Sequence, residues 1–165
     1  MDVLSKQFTK LYLSQIRDFQ SLKINHDMKF TRNASANWKG TGKDGKGTIS
    51  TESTTLKDTQ YSFKTRFEDG VGTNPEELIG AAHAGCFTMQ LSFLLSEAGF
   101  PPDDLDTAAK ITFEDGAITM SHLELKGKVA KISAAQFQEI AEKAKEICPI
   151  SKLLNTKITL SATLM

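Results

Sequence analysis

Eighteen consecutive residues, Leu78 to Leu95, carry no charged side chain. They follow a helix start of unusual strength. Asn74 suits the N-cap, Pro75 the first helical position, and Glu77 sits three residues after Asn74, as in a capping box. Gly99 and the Pro101-Pro102 pair then stop the helix near Ala98. A helix with no charged face has no natural solvent side, so the rest of the fold must cover it. The run reaches the lower length limit for a membrane span. His83, Thr88, Gln90, Ser92 and two glycines dilute it, and strand patterns flank it. The stretch predicts a long central helix buried on most sides, with no membrane role.

The flanks read as antiparallel strands. One short strand ends at Trp38 and another opens at Thr48-Ile49-Ser50-Thr51, with a Gly/Lys/Asp turn between them. That turn holds "GTGKDG", residues 40–45, a match to G-x-G-x-x-G. A dinucleotide loop requires a helix next, whereas β-branched "TISTESTT" follows, so the match is a hairpin turn. Residues 59–67 alternate Tyr61, Phe63, Thr65 and Phe67 on one face, which predicts a third strand with Arg66 on its other face. Beyond the helix, Asp115-Gly116 joins two alternating runs as a hairpin. Ser133 and Gln136 then cap a second helix, with Phe137, Ile140, Ala141, Ala144 and Cys148 on one stripe. Pro149 breaks or restarts that helix, and "NTKITLSATLM" is a last strand. The pattern is α+β: antiparallel sheets packed on a long central helix and a second helix.

Residues 1–27 stand apart as a helical N-terminal extension. Leu4, Phe8, Leu11, Ile16 and Phe19 recur at roughly helical spacing. Three Asp and only two Arg within residues 1–32 argue against a mitochondrial transit peptide, and no secretory h-region is visible. Lys+Arg and Asp+Glu balance at 20 each, so nothing draws the chain to nucleic acid or an anionic membrane. Two cysteines cannot staple a chain of 165 residues as a secreted framework would, which points to the cytoplasm.

Those cysteines, Cys86 in the uncharged helix and Cys148 at the end of the second, are core residues or a redox pair. A reactive thiol must ionise, and nothing basic lies on the helix near Cys86. Arg66, just upstream, is the candidate cation. A desolvated Arg needs an anion, and Glu76 in the first helical turn is the candidate partner. Glu76 and Cys86 are ten residues apart, about 15 Å along a straight helix. If the three share a site, either Arg66 spans that gap or Glu76 comes from a second copy of the chain. Two such helices paired antiparallel about a two-fold axis would bring one helix start near the other's middle, which predicts a homodimer with interfacial sites. His83 shares a face with Cys86, but no third group orients a hydrolase dyad, and Cys86, His83 and Cys148 lack a fourth ligand for zinc, so no metal is expected.

"TRFEDGVGTNPEELIGAAHAGCF", with "EAGF" after it and "ICPISKLL" downstream, resembles the OsmC/Ohr family of osmotically inducible and organic hydroperoxide resistance proteins. "GAAHAGC" is similar to the OsmC branch. The resemblance runs from about Met28, the usual family start, to the C-terminus, so that residues 28–165 form the family domain. It implies an intertwined homodimer with two interfacial sites and a thiol-dependent peroxidase of oxidative and osmotic stress defence. It assigns Cys86 as peroxidatic, Cys148 as resolving, Arg66 as the stabiliser of thiolate and peroxide, and Glu76 as its partner. Organic hydroperoxides and hydrogen peroxide would be the substrates, an external thiol the reductant, and no cofactor is implied. Apolar neighbours of Cys86, Phe87 and Met89 among them, would favour peroxides with a hydrophobic body. The alternative is a redox sensor or binding protein that uses the same thiols without turnover.

Overall fold

The computed structural model describes residues 29–165, so the helix expected over residues 1–27 lies outside the described residues. Ser35–Met165 forms one compact unit. It opens with β1 (Ala34–Lys39), β2 (Lys46–Thr51) and β3 (Thr59–Tyr61), then the short helix α1 (Phe63–Phe67) and the long helix α2 (Pro75–Glu97). The long hairpin β4 (Pro102–Glu114) and β5 (Ala117–Val129) follows, then α3 (Ala134–Ile147), α4 (Pro149–Leu153) and β6 (Lys157–Leu164). The strands form two three-stranded sheets, ordered β1-β2-β3 and β4-β5-β6.

The core lies between the second sheet and the helices. Along β5, Ser121, Leu123, Leu125, Gly127 and Val129 are buried at every second residue, with Ser121 against α2 and Gly127 against α3. From α2 come Phe87, Leu91 and Leu95, all at 0% exposure. The predicted stripe of α3 is also buried, with Ala141, Ala144 and Cys148 each at 0%. Each large apolar side chain stabilises the fold by about 1.5–3 kcal/mol through removal from water. Gly127 lets α3 approach, because a Cβ built there would stand 2.5 Å from Phe137 Cζ.

The helix ends follow the sequence signals. Asn74 Oδ1 accepts from the Glu77 N–H at 2.9 Å, and Pro75 opens α2. Ser133 and Gln136 form the expected capping box. The turn at Asp115-Gly116 has φ of +48° and +84°, the pattern of a two-residue type I′ hairpin.

The structure corrects three expectations. First, the strand expected over residues 59–67 stops at Tyr61, and Arg66 sits on helix α1. The Ser62 side chain accepts from Thr65 N at 3.2 Å, and the Thr65 hydroxyl accepts from Ser62 N at 2.8 Å. These reciprocal local bonds outcompete the ladder that the alternating pattern suggests. Second, β6 runs parallel to β5, so the second sheet is mixed rather than antiparallel. The helical connection α3–α4 carries the chain back along the sheet before β6 begins, and a parallel neighbour needs that kind of crossover. Third, α2 is covered on one side only. Gly80, His83, Phe87, Leu91, Leu94 and Leu95 are buried, while Met89 and Phe93 are 60% and 59% exposed. By length and composition α2 could cross a membrane. Its buried face packs on β4 and α3.

Candidate functional site

Cys86 lies at the middle of α2, and Cys148 lies where α3 ends and α4 begins. The α3 stripe buries Cys148 completely, and Pro149 then turns the chain into α4. This turn brings Cys148 beside Cys86, near enough for each thiol to act on the other. Both are free thiols. Burial pushes the Cys86 thiol above its ordinary range, and the adjacent Cys148 adds to that. The Ile150 N–H, from the first turn of α4, donates to Cys86 and acts in the opposite direction. Arg66 is not among the groups acting on Cys86 within the chain.

Arg66 and Glu76 meet elsewhere. The Arg66 Nε lies 3.1 Å from each Glu76 carboxylate oxygen, and Nη2 reaches Oε1 at 2.7 Å. Phe67 and Phe113 flank the guanidinium, with ring centroids 5.1 and 5.2 Å away. The carboxylate raises the pKa of Arg66, so the group stays cationic. Among the described residues, Nη1 has no hydrogen-bond partner. Asn74 sets this geometry. Its Oδ1 caps α2 while its Nδ2 donates to the Thr65 carbonyl at 3.0 Å, which ties the end of α1 to the start of α2.

The structure thus joins Cys86 with Cys148 and Arg66 with Glu76, but it keeps the two pairs apart within one chain. The ten helical steps from Glu76 to Cys86 impose the separation of about 15 Å. His83 is not a partner of Cys86. It is fully buried, with Nδ1 2.7 Å from Ser121 Oγ and Nε2 2.9 Å from Ser151 Oγ. Both ring nitrogens are therefore occupied, and burial lowers the pKa of the ring. No group of three or more His, Cys, Asp or Glu suited to a metal occurs among the described residues. Phe87, expected beside the reactive thiol, is at 0% exposure in the core, whereas Met89 is exposed. Sequence reasoning missed the double role of Asn74 and the Ser62–Thr65 cap. The spacing Ser-x-x-Thr was the available signal for that cap.

A neighbouring pair of free thiols spanning two helices of a two-sheet α+β fold defines a dithiol protein. The profile of the OsmC-like protein family matches residues 67–163. Over 137 residues the chain is 48% identical to Peroxiredoxin OsmC of Escherichia coli K12, covering 81% of this chain and 96% of that protein. A Shigella flexneri protein of the same name matches equally. Solved structures share the fold. OhrB of Bacillus subtilis, an organic hydroperoxide resistance protein, aligns with a TM-score of 0.61 at 23% identity, over 82% of this chain and 98% of that one. An OsmC-like protein of Vibrio cholerae aligns at 0.64 and 13% identity, over 82% and 100%. The chain belongs to the OsmC family.

Proposed function

We propose that this chain is a thiol-dependent peroxidase that reduces organic hydroperoxides and hydrogen peroxide. The carrying observation is the proximity of Cys86 to Cys148, together with the Ile150 backbone N–H, which favours the thiolate of the same residue. The name of the Escherichia coli relative, a peroxiredoxin, supports the same chemistry.

In the proposed cycle the Cys86 thiolate attacks one peroxide oxygen. The O–O bond breaks, the other oxygen leaves as alcohol or water after taking a proton, and Cys86 becomes a sulfenic acid. The Cys148 thiolate then attacks that sulfur. An S–S bond forms, and hydroxide leaves and is protonated to water. Two equivalents of an external thiol reduce the disulfide. No cofactor takes part, and the cycle suits the reducing cytoplasm.

Burial alone makes Cys86 a poor nucleophile, so a cation must reach it. In the proposed homodimer the Arg66–Glu76 unit of one protomer lies over Cys86 of the other. Three features support that assembly. The exposed side of α2 is apolar and small: Ala81, Ala82 and Gly85, then Met89 and Phe93. An open groove beside α2, lined by Gly85, Thr88 and Met89, runs along β4. The charged pair is preassembled in one chain, with Nη1 left over for a thiolate or peroxide. Phe67, Phe113, Met89 and Phe93 are the exposed apolar side chains that would receive the body of an organic peroxide.

The test is consumption of cumene hydroperoxide with excess dithiothreitol by wild type, Cys86→Ser and Cys148→Ser. Repeated turnover by wild type that vanishes in Cys86→Ser is expected, with higher kcat/KM for cumene hydroperoxide than for hydrogen peroxide. A redox sensor would instead react once and stop. No turnover, with both thiols still titratable after peroxide, would overturn the reading.

A further inference from the structure

Helix α4 supplies what touches Cys86, yet little of its own holds it in place. It has five residues, none of them buried. Its N-cap is Cys148, which makes no side-chain cap, and Leu153 is 74% exposed. Apolar burial fixes such a segment only weakly, with Ile150 no more than half-buried. It needs a polar anchor, and one is present. Ser151 Oγ lies 2.9 Å from Nε2 of His83, a residue at 0% exposure. The other nitrogen of His83 lies 2.7 Å from Ser121 Oγ, itself at 0% exposure on the central strand β5. His83 thus links three elements through hydroxyls 38 and 68 residues away. A neutral imidazole donates from one nitrogen and accepts at the other, and a hydroxyl can take either role, so both contacts are satisfied together.

We propose that His83 is a positioning residue for the thiol pair: anchored to β5 by Ser121, it holds Ser151 and so keeps Cys148 and the Ile150 N–H on the Cys86 sulfur. Ile150 and Ser151 are adjacent, so release of the Ser151 hydroxyl frees the turn that carries the N–H. The same release widens the path by which Cys148 must approach a Cys86 sulfenic acid. A sulfenic acid that waits longer meets a second peroxide, whose O–O bond breaks as one oxygen passes to sulfur to give sulfinic acid and the other leaves as alcohol or water. His83 would therefore favour disulfide formation over irreversible oxidation. This kinetic consequence rests on the peroxidase reading above, whereas the positioning itself does not.

The test uses the full chain with Ser151→Ala, which deletes only the hydroxyl, and Ser151→Thr, which restores one. Two quantities are read: the pH titration of the Cys86 thiolate by its ultraviolet absorbance, and the ratio of disulfide to Cys86 sulfinic acid after peroxide, by mass spectrometry. Ser151→Ala is expected to shift the thiol titration, since both Ile150 and Cys148 act on Cys86, and to increase the sulfinic fraction by about five- to tenfold, the scale of one lost hydrogen bond. Ser151→Thr should return both toward wild type. A merely structural hydroxyl would lower the denaturation midpoint and move neither quantity. Titration and partition unchanged in Ser151→Ala would overturn the proposal. If wild type consumes no peroxide, the peroxidase reading fails and the thiol titration alone decides the positioning.

Discussion

Arg66 holds both carboxylate oxygens of Glu76 within one chain, and the same chain keeps that pair away from Cys86. The helix that begins at Glu76 must climb ten residues to reach the thiol, about 15 Å. A charged pair assembled in one place and a thiol that lacks a cation in another are what the proposed homodimer, with its sites at the interface, would bring together.

Complementation between inactive variants follows from that division. Arg66→Ala removes the cation and Cys86→Ser removes the nucleophile, so each homodimer should be inactive. Mixed dimers pair an intact Arg66 with an intact Cys86 at one of their two sites. After unfolding and refolding together in equal amounts, about half the dimers are mixed, and turnover should return to about a quarter of wild type. Recovery of no activity would place Arg66 and Cys86 in a site built by one chain.

Cys148→Ser should separate the two halves of the cycle. The first oxidation of Cys86 needs no Cys148, so one fast equivalent of peroxide should still be consumed. Without the partner thiol no intramolecular disulfide forms, and mass spectrometry should find Cys86 carrying oxygen or joined to dithiothreitol. An intact, unmodified Cys86 after peroxide would show that Cys148 takes part in the first step.

Much of this fold was legible because its signals are local. Asn74, Pro75 and Gly99 bound α2 through short-range capping, and Asp115-Gly116 sets its hairpin by two positive φ angles. The cysteines and their candidate ion pair were legible for a related reason: ionisation of a thiol demands a cation, and few were available near α2. Three features were hidden. Helix α1 looks like a strand, since Tyr61, Phe63, Thr65 and Phe67 alternate, and only the Ser62–Thr65 bonds decide otherwise. The direction of β6 depends on how far α3 and α4 carry the chain. The partners of His83 lie far away in sequence, so its hydroxyl contacts left no trace in local spacing.

Gly127→Ala tests how closely α3 must approach the sheet. A Cβ at this position would lie 2.5 Å from Phe137 Cζ and 3.1 Å from Leu105 Cδ2, so the ring or the strand must shift. Overpacking of this kind costs about 1–3 kcal/mol. Since α3 delivers Cys148, slower disulfide formation should accompany a lower urea midpoint. An unchanged midpoint would mean that Phe137 swings aside freely.

The pH dependence of stability should report His83. Burial lowers its pKa below the ordinary 6.5, so below that pH the unfolded chain takes up a proton that the folded chain refuses. More protons on the unfolded state means that stability rises with pH. The contribution of neutral His83 is therefore fully present above about pH 6.5 and is lost as pH falls toward the lowered folded value. The slope has an upper limit of about 1.4 kcal/mol per pH unit for a single group. Urea midpoints at about pH 7.5 and pH 5.5 should fall more for wild type than for His83→Gln, which has no proton to gain. The exposed carboxylates contribute equally to both proteins and cancel in that difference. Parallel profiles would mean that His83 titrates alike in the folded and unfolded chain, which is incompatible with a neutral ring held between Ser121 and Ser151.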